Sequence, residues 1–100
     1  MAEHPLKILE KVDPELFKRV TETSTFALAD GALPRKYKLL IAMVLDSAHG
    51  QVDGVKSLTQ RALEAGATKD EVMETLRVGH YICGAGCVYT ATDALKLMKQ

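Results

Sequence analysis

The apolar residues of this chain recur at intervals of three and four, and no run sustains period-two alternation. That pattern points to packed helices rather than sheets. Leu39, Leu40, Met43 and Val44 have the spacing of one buried helical face, and Val55, Leu58, Ala62, Leu63 and Ala65 make a second amphipathic helix. Asp13 followed by Pro14 reads as an N-cap and first helical position. It opens a helix through Leu16, Phe17, Val20, Phe26 and Leu28 that stops at Asp30 and Gly31. "LPRKYK" restarts the helical pattern with Pro34 in the first turn, and Gly50 and Gly54 weaken it further on. Gly66 is a C-terminal stop, and Thr68 three residues before Glu71 is a capping box for a helix carrying Val72, Leu76, Val78 and Ile82. Gly84 and Gly86 lower the helical tendency without forbidding it, and "TATDALKLM" is the last helix. The expected architecture is all-α, five or six helices with short loops, in a single domain over residues 1–100.

A chain that is 47% apolar with no Trp must build its core from aliphatic side chains and Ala. Lys plus Arg and Asp plus Glu each number 13, so there is no basic footprint and nucleic acid is not an expected partner. Zero net charge also offers little colloidal resistance to self-association. "MAEHPLKILEK" lacks the apolar core of a signal peptide, and "LLIAMVL" is too short to cross a bilayer. A soluble, cytoplasmic protein with no membrane partner is expected, its two cysteines held as thiols. No cofactor is expected.

"LPRKYKLLIAMVL", followed after the next helix by "ALEAGATKDEVMETLRVG", resembles the carboxymuconolactone decarboxylase family, which includes the alkyl hydroperoxidase D (AhpD-like) proteins. The resemblance covers roughly residues 27 to 95. It implies an all-helical fold and a homo-oligomer, a trimer or hexamer. It also implies a redox site built from a glutamate, a Cys-x-x-Cys at a helix start and a histidine four residues later. Such a helix start lowers a thiol pKa, and the flanking acid and base relay protons. In this chain those positions fall at Leu39, at Gln51 and Gly54, and at Leu58. All four functional side chains are replaced, so the thiol chemistry cannot run there.

Three groups of residues carry what chemistry remains. "HYICGAGC" holds Cys83, Cys87 and His80. On one continuous helix the two cysteines would share a face, with Cβ atoms about 5–6 Å apart, whereas a disulfide wants about 3.8 Å. Gly79, Cys83, Cys87 and Ala91 also form a stripe of small residues suited to close helix packing. Packing is the preferred reading and a relocated thiol site, with Cys83, Cys87 and His80 catalytic, the alternative. A metal site on His80, Cys83 and Cys87, completed by His4 or His49, lacks the usual ligand pattern, and no metal is expected. "LDSAHGQVDG" places Asp46, His49 and Asp53 at i, i+3, i+7, provided the helix continues through Gly50. They are either solvated and capping groups or the polar lining of a ligand pocket near the replaced redox site. Tyr81 and Tyr89 are packing residues or hydroxyl donors to such a pocket. The basic "RKYK" is a solvated turn or meets acidic groups. Two functions stay open: a small-molecule-binding or structural oligomer with a modified pocket, and a thiol-dependent, peroxidase-like antioxidant enzyme.

Overall fold

The computed structural model describes residues 6–98, which form six α-helices and no strand. They are α1 (Leu6–Val12), α2 (Pro14–Leu28), α3 (Arg35–Ala48), α4 (Val52–Glu64), α5 (Lys69–Cys83) and α6 (Ala85–Leu95). The starts follow local chemistry. The Asp13 side chain accepts from the Leu16 N–H at 3.0 Å, with Pro14 at the first position of α2. Pro34 is the N-cap of α3, whose Arg35 N–H donates to Asp30 at 2.6 Å. Thr68 and Glu71 close the capping box of α5, with bonds of 2.9 and 3.1 Å.

The ends matter more for function. Gly50 adopts φ +76°, in the left-handed region glycine tolerates best. The Gln51 N–H then bonds the Asp46 carbonyl at 3.0 Å and the Gly50 N–H bonds that of Ser47 at 3.2 Å, a Schellman closure of α3. The expected continuation of this helix through Gly50 does not occur. The same pair of bonds closes α4, from Ala67 to Ala62 and from Gly66 to Leu63. Gly84, at φ +87° and ψ −179°, is the C-cap of α5 and the N-cap of α6. That backbone conformation is essentially restricted to glycine, so "HYICGAGC" is a corner between two helices.

Helices α3 to α6 pack together, and α2 touches them chiefly at α3. Leu39, Met43, Val55, Val72 and Leu76 are fully or almost fully buried at the centre, joined by Ala62, Ala91 and Ala94. Burial of each large aliphatic side chain is worth about 1.5–3 kcal/mol. Ser47 is buried too, and its hydroxyl donates to the Cys87 carbonyl, tying α3 to α6. Lys36 ties α3 to α5 through an ion pair with Glu71 at 3.1 Å, and its ammonium lies 4.8 Å from the centre of the Tyr37 ring. The basic turn thus meets an acid of its own chain. The backbone N–H of Thr68 and then the Lys36 ammonium hold Glu71 below the ordinary carboxylate range. The hydrogen bond to Glu71 raises Lys36.

No residue of α1 or α2 is buried. Phe26 on α2 is 85% exposed, and Val78 and Ile82 on α5, on the apolar pattern of that helix, are 63% and 71% exposed. Ile41, Leu45 and Tyr81 are exposed as well. Among the described residues, no helix is long and apolar enough to cross a membrane.

Candidate functional site

The Schellman turn at Gly50 folds the last turn of α3 back beside the first turns of α4. Gly54, Ser57, Leu58 and Arg61 are spaced i, i+3, i+4, i+7 along α4, one helical face. With Asp46 from α3, Asp53 and Leu6, they line an open pocket of about 390 Å³. Asp46 is half-buried and Asp53 exposed. Asp53 lies in the first turn of α4, where the positive end of the helix favours a carboxylate.

Asp46 and Gly54 fit together closely. A Cβ added at Gly54 would collide with the Asp46 Oδ2 and come within 3.1 Å of its Cγ. The Asp46 carboxylate therefore fills the space that a side chain at position 54 would need. By the family resemblance, this is where the second thiol of redox relatives is expected. The first, Gln51, is the exposed N-cap of α4; Leu58 is half-buried one turn beyond Gly54; and Leu39 is wholly inside the core. Of these four positions, Gly54 and Leu58 line the pocket.

His49 is not one of them. It is the exposed C-cap of α3, and its N–H is directed at the carbonyls of Leu45 and Asp46. The expected i, i+3, i+7 face of Asp46, His49 and Asp53 is thus corrected. The helix stops before Gly50, and of the three residues Asp46 and Asp53 line the pocket while His49 does not. Sequence reasoning missed Ser57 and Arg61. Their spacing from Gly54 and Leu58 was the available signal, but nothing local shows that this face of α4 borders a pocket.

The α5–α6 corner is built differently. Cys83 ends α5 and is exposed, while Cys87 in the first turn of α6 is buried. They do not share a helix face, because Gly84 breaks the helix between them. A Cβ at Gly79 would stand 2.5 Å from Val44 Cγ2 and 2.8 Å from the Cys87 Sγ. Gly79 and Cys87 therefore pack closely, as expected of small residues, and Ala91 is buried, but Cys83 is exposed and lies outside the seam. His80 is exposed and faces a separate open pocket of about 460 Å³, which Tyr89 also lines. Tyr81 lines neither pocket. Among the described residues, no three His, Cys, Asp or Glu side chains converge as metal ligands, and His4 lies outside those residues.

The Legionella pneumophila protein lpg0406, described as a carboxymuconolactone decarboxylase family protein and solved in its apo form, has a structure similar to this one. Its TM-score is 0.85 at 33% identity, covering 91% of this chain and 81% of that one. A Burkholderia xenovorans LB400 structure that carries the name carboxymuconolactone decarboxylase superposes with a TM-score of 0.84 at 28% identity, covering 96% and 79%. No functionally curated protein matches the chain. The model of the carboxymuconolactone decarboxylase family matches residues 14–97. Sequence match, helical order and superposition agree that the chain belongs to the carboxymuconolactone decarboxylase family.

Proposed function

We propose that this protein is an oligomeric, small-molecule-binding member of its family, in which the α3–α4 pocket takes a polar ligand where redox relatives keep a dithiol. The observation that carries this reading is the Asp46 carboxylate standing in the space above Gly54, in a pocket that also holds Asp53, Ser57 and Arg61. Such a lining suits a small molecule with hydrogen-bond donors for the carboxylates and an oxyanion for Arg61, which pairs with planar anions through two parallel bonds. A hydroxy acid or an amino acid has that chemistry. Dithiol chemistry has no group to act through at Gln51, Gly54 and Leu58.

The test is a chemical-shift titration of the full chain with a panel of small hydroxy acids and amino acids. Binding should perturb Asp46, Ser57 and Arg61, and should be lost in both Asp46→Asn and Arg61→Gln. A ligand that binds both variants as well as the parent overturns the reading. Peroxide reduction with a dithiol donor should run no faster with the protein than without it.

The assembly is part of the proposal. Exposed Phe26, Ile41, Leu45, Val78 and Ile82 would be covered in a homo-oligomer, a trimer or hexamer, and α1 and α2 have no buried residue of their own in one chain. Light scattering at micromolar concentration should read several times the 10.9 kDa chain mass, and a monomer would contradict it. The cytoplasm is the proposed location, where both free cysteines stay reduced. The relocated-thiol alternative has less support, since Cys87 is enclosed by Gly79 and Val44 and Cys83 sits on a different helix.

A further inference from the structure

We propose that the groove between α5 and α6 is a second, independent ligand site, which takes a carboxylic acid with an apolar tail. Its open volume, about 460 Å³, lies within the range of roughly 300–1,000 Å³ common for small-molecule sites. Leu76, Met73 and Val88 supply an apolar floor. Leu76 and Met73 belong to or pack on the core, so this floor is anchored. Met is also the side chain that best adapts to tails of different shape.

The rim sets the charge. Arg77 and His80 stand one turn apart on α5, and Tyr89 faces them from α6. Among the described residues, no carboxylate lines this groove. Among the described residues the Arg77 and His80 side chains make no ion pair or hydrogen bond, whereas Arg19, Lys36 and Lys96 each have an acidic partner. A guanidinium with no acidic partner among the described residues, beside an imidazole and a phenol and above an apolar floor, matches an anionic head joined to a hydrocarbon or aryl body. The guanidinium takes a carboxylate through two parallel bonds, and the tail covers Met73, Leu76 and Val88. A cationic amphiphile would face Arg77 with like charge, and a neutral one would leave it unpaired.

The experiment is a chemical-shift titration of the full chain with sodium decanoate below its micellar concentration, with 1-decanol and decylamine as comparators. The proposal expects shifts at Met73, Arg77, Val88 and Tyr89, with decanoate binding at least tenfold more tightly than either comparator. Arg77→Gln should weaken decanoate at least tenfold while leaving decanol and the far-ultraviolet circular dichroism unchanged. Equal binding of decanoate and decanol overturns it, as does unchanged affinity in Arg77→Gln. Shifts centred on Asp46 and Arg61 also overturn it, by assigning the acid to the other pocket. So does absence of decanoate binding; if Tyr89→Asp then also lowers the mass of the assembly, a second copy of the chain is the occupant. Asp46 and Arg61 do not line this groove, so its failure leaves the α3–α4 reading standing.

Discussion

The α3–α4 and α5–α6 corners use the same device, two helices joined at a glycine with positive φ, to opposite ends. At Gly50 the returning helix presents Gly54 to the Asp46 carboxylate and leaves an open pocket with two acids and an arginine. At Gly84 the returning helix carries Cys87 against Gly79 and Val44, and the thiol is enclosed. Both corners need a residue without a Cβ one or two turns from the turn itself. In the first, the space is filled by a charged group reachable from solvent; in the second, by sulfur and a methyl group. A glycine corner therefore carries no function of its own. What it brings opposite the second glycine decides whether a polar pocket opens there or the helices close on each other.

The largest expected effect lies in the seam. Gly79→Leu should cost toward the top of the about 1–3 kcal/mol range for overpacking, because even its Cβ meets Val44 and Cys87. Denaturant unfolding would measure it, and a loss under about 0.5 kcal/mol would break the account of a close-packed corner.

The turns themselves should separate next. Gly84→Ala forces alanine into a region that costs of order 1–3 kcal/mol, whereas Gly50→Ala meets the milder left-handed helical penalty of about 1–2 kcal/mol. Melting curves of the two variants should rank them in that order. The reverse order would mean that the α5–α6 turn relaxes and the α3–α4 turn does not.

Gly54→Ala should lose about 1–3 kcal/mol by pushing on Asp46. In an Asp46→Ala background the same change should become neutral or stabilising by up to about 1 kcal/mol, as for glycine to alanine within a helix. A double-mutant cycle reads the difference, and additive effects would show that the two residues are not in contact.

Cys83 should matter less than either glycine corner. Cys83→Ala and Cys83→Leu should each stay within about 0.5 kcal/mol, as at ordinary surface positions, while Cys87→Leu should cost about 1–3 kcal/mol. Native alkylation should label Cys83 first. Loss of assembly in Cys83→Leu alone would place that thiol in a subunit contact.

The smallest effect is the pH dependence of the α3–α5 tie. Glu71 is held below the ordinary carboxylate range, so its contribution is present above that range and fades as pH falls through its lowered pKa. Lys36 is raised, so its contribution is complete below the ordinary lysine range and is lost as pH rises through its raised pKa. The contribution of this pair should be flat between those limits, and Glu71→Gln should reduce the acid-side decline. An undiminished decline in that variant would assign it to other carboxylates.

Much of the fold was legible because helix boundaries are short-range. Asp13 caps a donor three residues away, Thr68 and Glu71 satisfy each other across one turn, and Gly66 ends α4 where a stop was expected. The buried face of Leu39, Leu40 and Met43 follows from the period of the helix. The misreadings share one cause. Read as weak points within helices, Gly50 and Gly84 leave Asp53 on one face with Asp46 and His49, and Cys87 on one face with Cys83, and the turns divide both faces. Glycine in a sequence does not reveal its φ, and a tolerated interior glycine looks the same as one that stops a helix.

By itself the sequence determined the helical class, most of the caps and the lack of a Cys-x-x-Cys, since these depend on residue type and on contacts within a turn or so. Tertiary structure alone decided that Asp46 stands against Gly54, that Arg61 and Ser57 share its pocket, and that Cys87 is enclosed while Cys83 is not. These are contacts between separate helices, such as the Ser47 hydroxyl meeting the Cys87 carbonyl 40 residues on. Their existence depends on how the helices turn at Gly50 and Gly84 and on which faces the shared core draws inward.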